Sequence, residues 1–246
     1  MEITNLLFLD IETASAAATF ADLSDDFKAL WKKKAAQISR TPADELDDEQ
    51  LAELYTGRAA IFSEFGQIIC ISVGAMYRDK DKQLALRLKS FAGTDEKKLL
   101  EDFAQMVNQY YNDPRRQGFC GHNIKEFDMP YICRRMLVHQ IPLPNSMQVA
   151  GKKPWELNHF VDTLELWKFG DRKNYTSLAV LTTLLGIPSP KDDIDGSQVG
   201  RVFWEENDVE RIATYCEKDV LATTQLYLRM HYLPLLPEER VTDVDR

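Results

Sequence analysis

The sequence predicts an α/β layered fold, and three observations carry that prediction. Short apolar runs rich in β-branched residues, such as residues 6–9 and 67–77, alternate with segments whose apolar residues recur at helical spacing. The helical segments open on hydroxyl or acidic caps and several close on glycine or proline. The 246 residues are enough for one large domain, or one domain with an elaborate insertion, around a full hydrophobic core. Alternating elements of this kind pack as helices against a sheet.

Taken in order, residues 6–9 form an apolar run ending at Asp10, which reads as a buried strand with the acid at its C-terminal end. Residues 67–77 (QIICISVGAMY) and 84–91 flank the polar turn RDKDKQ and predict a hairpin. Thr94-Asp95-Glu96 supplies a hydroxyl cap and first-turn acids for a helix reaching about Asn112. Residues 119–121 predict a short strand, 128–138 a helix, and 160–162 another short strand. Residues 177–185 predict a helix closed by Gly186 and Pro188, and Asn207 or Asp208 caps a last helix running to about Arg229. Beyond Leu233 the chain is rich in proline and acids, and a surface strap or frayed tail is expected over 233–246.

Residues 14–65 are too many for a plain loop between neighbouring strands. Ser24-Asp25-Asp26 starts one helix and Thr41-Pro42-Ala43-Asp44 a second, with proline at the first position. The stretch reads as a helical insertion after the first strand that emerges beside the site, serving as a lid or substrate guide or else as a packing flap.

Composition is that of an ordinary globular chain, 44% hydrophobic and 28% charged. The opening MEITNLLFLD lacks a basic flank and a cleavage site, so no signal peptide is expected, and no apolar stretch is long enough to span a membrane. Cys70, Cys120, Cys133 and Cys216 form no C-x-x-C pair and read as free thiols in a reducing cytoplasm. A net charge of −9 argues against coating duplex DNA by charge alone. It leaves room for gripping one strand end through local basic pairs such as Arg115/Arg116, Arg134/Arg135, Lys152/Lys153 and Arg172/Lys173. A polymerase or repair factor that brings the nucleic acid would suit that acidity.

The chemistry lies in three segments. FLDIET carries Asp10 and Glu12, two apart and so on one face of a strand. GHNIKEFDMPYI carries Asn123 and Asp128, and YCEKDVLATT carries Tyr215 and Asp219, one helical turn apart. Four carboxylates converging on one point repel unless cations lie between them, and oxygen-only ligands favour Mg²⁺ or Mn²⁺. A pair of such ions about 3.5–4 Å apart serves in-line attack on phosphodiesters. Taken singly, each segment also has a plain structural explanation: a strand-end acid, a helix N-cap at Asp128, or a core tyrosine beside a surface acid.

In order and spacing these segments resemble the three exonuclease motifs of the DEDD superfamily, tyrosine subtype (DEDDy). D-x-E follows an apolar strand; Asn123 precedes Phe127-Asp128; Tyr215 stands four residues before Asp219. More narrowly, with FGQIICISVGAMY, FVDTLELWKFG and YTSLAVLTTLLGI, nearly the whole chain resembles the proofreading exonuclease domain of family-B DNA polymerases, as a stand-alone relative. The resemblance implies an RNase H-like (DnaQ-like exonuclease) fold with a mixed, mostly five-stranded sheet flanked by helices. It implies two divalent cations, Mg²⁺ or Mn²⁺, with Asp10 shared, Glu12 and Asp219 on the water-activating ion, and Asp128 on the second. Tyr215 would orient the attacking water, and Thr13, Asn123 and Phe127 would lie near the terminal nucleotide. The implied reaction is 3′→5′ hydrolysis at single-stranded DNA ends, releasing nucleoside 5′-monophosphates, in a setting such as DNA repair. An RNA-trimming exoribonuclease of the same superfamily and a catalytically silent nucleic-acid-binding module are the alternatives. None of His122, His139, His159 and His231 occupies the general-base position of the histidine subtype, and His122 reads as a structural hydrogen-bonder.

Overall fold

The structure is a computed structural model that describes residues 1–171, 175–188 and 194–244. Its strands are β1 (Leu6–Ser15), β2 (Gly66–Arg78), β3 (Leu84–Ala92), β4 (Gly118–Gly121), β5 (Phe160–Asp162) and β6 (Val241–Asp243). Its helices are α1 (Asp25–Ser39), α2 (Asp48–Arg58), α3 (Glu96–Tyr110), α4 (Asp128–Val138), α5 (Thr163–Lys168), α6 (Leu178–Leu184), α7 (Val199–Arg201) and α8 (Val209–Met230). The strands form one mixed sheet in the order β5-β4-β1-β2-β3-β6. β1 is antiparallel to β2, β2 is antiparallel to β3, and the β1–β4, β4–β5 and β3–β6 pairs are parallel.

The strand period of two divides β1 between two layers. Leu7, Leu9 and Ile11 enter a core with Leu99, Leu100 and Phe103 of α3 and Met129 and Ile132 of α4. Leu6 and Phe8 face the opposite layer and meet Val220, Tyr227 and Leu228 of α8, with the Phe8 and Tyr227 rings edge-on at 5.6 Å. Asp10 and Glu12 continue that second row. An apolar side chain at either position would contribute about 1.5–3 kcal/mol of burial. The strand forgoes that at two adjacent core-facing positions, which makes these acids the conspicuous departure from its pattern.

The insertion is a packed unit. Trp31 of α1 and Tyr55 of α2 are wholly buried, stack edge-on at 5.2 Å, and share a core with Phe20, Leu51 and Phe65. Trp31 donates its indole N–H to the Leu51 carbonyl at 3.1 Å. α1 starts after Ser24, as its cap predicts. The second helix does not start at Thr41-Pro42. Those residues lead into a single 3₁₀ turn, Ala43–Glu45, and α2 begins at Asp48 with Asp47 as its cap. The reason is a reciprocal capping box: the Gln50 N–H donates to Asp47 at 2.8 Å, and the Asp47 N–H donates to the Gln50 side chain at 3.1 Å. Likewise Asp95, not Thr94, caps α3, accepting from the Lys98 N–H at 3.1 Å.

The segment expected as a surface strap or frayed tail runs back along the sheet and ends in β6, a sixth strand beside the mostly five-stranded sheet that the resemblance implied. Gln225 on α8 holds Leu236 by two hydrogen bonds, of 2.7 and 2.9 Å, and β6 then covers the outer edge of β3. An open β3 edge would present unpaired backbone groups, and β6 satisfies them. No helix among the described residues is long and apolar enough to cross a membrane.

Candidate active site

β1 delivers Asp10 and Glu12 to the α8 layer just beyond the last β1–β4 pairing, Phe8 with Cys120. A register shift between Glu12 and Thr13 follows at once, because β2 carries one extra residue there. Such a bulge re-aims the side chains around it. Glu12 is buried and Asp10 half-buried. Ligand atoms of Asp10, Glu12 and Cys216 of α8 all lie within 4.8 Å of one another.

The charges gathered here oppose one another. Burial raises the Asp10 carboxyl well above its ordinary range, and the charges of Asp128, Asp219 and Glu12 raise it further. Glu12 is raised well above its range by burial and then by Asp219, Cys70 and Asp128. Burial pushes Asp128 up to about 7, opposed by the N–H groups of Asp128 itself and of Ile11. No cation stands among the main influences on the Asp10, Glu12 and Asp128 carboxyls. Their oxygens are a hard donor set short of positive charge, which fits divalent cations such as Mg²⁺ or Mn²⁺. Cys216 stands beside these oxygens as a thiol. Its thiol is fully buried, is raised well above its usual range by burial and then by Cys70, and donates to Asp10 Oδ2 at 3.5 Å.

Asp128 is the first residue of α4 and lies after Phe127, the cap position, so it is not the helix N-cap. Tyr215 and Asp219 share one face of α8. Burial raises the Tyr215 phenol far above its usual range, followed by the charges of Asp219 and Glu12, and its hydroxyl donates to Asp219. It is therefore a neutral hydrogen-bonding group at every pH near neutrality.

The loop between β4 and α4 is held by an acid to which the sequence reading assigned no role. Asp162, at the end of β5, accepts from the Asn123 N–H at 2.9 Å, the Lys125 N–H at 3.2 Å and the Leu164 N–H at 2.9 Å. Asn123 has φ 65°, a left-handed conformation that asparagine tolerates better than most residues. Phe127 packs on Tyr131, with ring centroids 5.5 Å apart, at the margin of the core. Thr13 points away from the acids and donates to the Ala60 carbonyl at 3.0 Å.

His122 is a hydrogen-bonding residue, as expected. Burial holds its imidazole below its usual range, so the ring is neutral. The Thr176 carbonyl, 2.9 Å from Nε2, can only accept, so the proton sits on Nε2, and Nδ1 accepts from Thr163 Oγ1 at 2.9 Å. Of the basic pairs, Arg135 is committed to Glu96 and Lys152/Lys153 is exposed, while Arg172/Lys173 lies outside the described residues. Asp162 carried a legible signal in FVD, an acid at a strand end, whereas nothing local marked Cys216.

Among curated proteins no sequence match was found. The fold is similar to that of the family B DNA polymerase from the hyperthermophilic archaeon Pyrobaculum calidifontis, with a TM-score of 0.55 and 14% identity. The likeness covers 89% of this chain and 23% of the polymerase chain, and at that identity it shows the fold alone. It agrees with an RNase H-like architecture. A family profile described as a predicted 3′-5′ exonuclease related to the exonuclease domain of PolB matches residues 61–239, well over half of the chain. The chain belongs to this family of PolB-related exonucleases.

Proposed function

We propose that the chain is a tyrosine-subtype DEDD exonuclease that removes nucleotides in the 3′→5′ direction from single-stranded DNA, leaving nucleoside 5′-monophosphates. The supporting observation is the buried meeting of Asp10 and Glu12 from β1 with α8, under the combined charge of Asp128 and Asp219. Residues 1–246 act as one exonuclease domain, with residues 14–65 as its insertion and 233–246 as its closing segment.

Asp10, Glu12, Asp128 and Asp219 would hold two divalent cations, Mg²⁺ or Mn²⁺. When bound, these ions supply charge neutralisation for the phosphodiester, activation of water and stabilisation of the leaving 3′-oxygen. The remaining work falls to the protein. Tyr215 stays protonated beside Asp219, so it orients a water by hydrogen bonding and does not remove its proton. Asp162 holds the loop that carries Asn123 and Phe127 just ahead of Asp128, and these two would contact the terminal nucleotide. Thr13 supports this region indirectly, by tying β1 to the end of the insertion at Ala60.

The test is a gel time course on a 5′-labelled single-stranded DNA oligonucleotide in Mg²⁺, in Mn²⁺ and in EDTA, beside Asp10→Ala. A metal-dependent ladder shortening from the 3′ end and absent in the variant is the expected result. A ladder on RNA alone would move the substrate to RNA. Silence on both would overturn the enzyme reading in favour of a binding module.

A further inference from the structure

Tyr175 stands beside the candidate site and has no role in the reading above. It is 66% exposed, whereas Phe127, the aromatic of the second motif, is packed against Tyr131 and the core. Exposed single tyrosines are ordinary on protein surfaces. This one differs in what holds it and in what it faces.

Its support is a histidine held by two hydrogen bonds. The Tyr175 ring meets the His122 ring edge-on, with centroids 6.3 Å apart and planes at 66°. His122 is fixed at both nitrogens, by Thr163 and by the carbonyl of Thr176, the residue next to Tyr175. Two residues further on, Ser177 caps α6 by accepting from the Val180 N–H at 3.4 Å. The backbone after Tyr175 is therefore tied to His122, just past β4, through it to Thr163 of α5, and by Ser177 to the start of α6. Its surroundings are those of the candidate site: the phenol is raised first by burial and then by Asp128, Asp10, Asp162 and Asp219.

A strand end brought to the carboxylates carries a base with an open π face. Aromatic side chains bind such faces whatever the base. We propose that Tyr175, backed by His122, is the stacking platform for the nucleobase of the 3′-terminal nucleotide. This subsite rests on the exonuclease reading and adds to it a recognition element that is indifferent to base identity and needs an unpaired end.

The experiment compares wild type, Tyr175→Phe and Tyr175→Ala on 5′-labelled single strands that end in a normal or an abasic 3′ nucleotide. DNA is used, or RNA if that is what the protein degrades. Binding is followed separately in Ca²⁺ through the fluorescence of a 3′-terminal 2-aminopurine. Tyr175→Ala is expected to raise KM roughly 5- to 150-fold on the normal end, the fold-change that loss of one base–aromatic stack corresponds to. It should change kcat little and lose the fluorescence quenching that wild type and Tyr175→Phe show. On the abasic end the three proteins should share one KM. An unchanged KM on the normal end, an equal loss on the abasic end, or quenching independent of Tyr175 would each overturn the subsite. If wild type degrades neither DNA nor RNA, the exonuclease reading fails, and the quenching measurement still decides the subsite by itself.

Discussion

Arg135 grips Glu96 with both arms of its guanidinium, Nε to Oε1 at 2.8 Å and Nη2 to Oε2 at 2.6 Å. The pair fastens α4, whose first residue is Asp128, to the start of α3. The third guanidinium nitrogen donates to the Ser63 carbonyl at 2.9 Å, and Glu96 also accepts the Ile68 N–H at 2.7 Å. Both side chains are nearly buried, so removing one strands the other's charge. Arg135→Met should lower stability by about 3–5 kcal/mol, read from urea unfolding.

The same cluster sets an acid limit. Burial raises the Glu96 carboxyl, but the hydrogen bonds from Arg135, the Ile68 N–H and His139 outweigh it and leave the group below its usual range. A depressed carboxyl contributes stability above the unfolded-state value, about 4.3, and that contribution is lost as pH falls through the folded-state value. The urea midpoint should therefore drop as pH falls below about 4.3, and Glu96→Gln should flatten that part of the curve. Asp10, Glu12 and Asp128, whose carboxyls are raised, act in the opposite sense between neutral pH and about 4.3, so only a wild-type midpoint that keeps rising below about pH 4.3 would contradict this role of Glu96.

Tyr215 and Asp219 should separate in kinetics although they share a hydrogen bond. Tyr215→Phe removes one orienting hydroxyl and leaves the carboxylates, so single-turnover rates in Mn²⁺ should fall about 10²-fold or less. Asp219→Ala removes a proposed ligand and should nearly abolish turnover. Equal losses in the two variants would mean that the phenol does more than orient water.

Divalent ions should stabilise the protein. At 100 times its Kd, one bound ion adds about 2.7 kcal/mol, equivalent to a rise in Tm of about 5–10 °C for a chain of this size. Asp10→Asn relieves repulsion and removes a ligand together. It should melt at or above wild type in EDTA and gain little from Mn²⁺, a pattern that differential scanning calorimetry resolves.

Trp31→Ala should cost about 3–5 kcal/mol by opening the core of the insertion. If the insertion and sheet form one domain, the variant will still melt in a single transition. Two transitions would make residues 14–65 an independently folding unit.

Much of this architecture could be read from residue patterns. Leu6, Phe8, Asp10 and Glu12 lie on one face of β1 because strand period leaves no other arrangement, and Ser24, Ser177 and Asp208 start helices because their side chains satisfy exposed N–H groups. Where two caps competed, local signals failed. Thr41-Pro42 looked like a helix start, but the Asp47–Gln50 box six residues on formed the better one. β6 was hidden because Val241-Thr242-Asp243 carries no apolar run, and its partner β3 lies some 150 positions away in sequence. Tyr175 was hidden for a related reason: its importance depends on a histidine 53 residues earlier, a separation no local pattern encodes.

The return of the C-terminal segment to the sheet bears on how the molecule can be handled. A chain cut after Leu233 would lose the Gln225 clasp and uncover β3, inviting the β3 edges of two copies to pair. Such a truncation should elute as a dimer or larger species while its carboxylates stay intact. The Val244 N–H also donates to the Leu88 carbonyl at 3.0 Å along this edge, so an affinity handle or fluorophore inserted between Leu233 and Val244 would break the same seam.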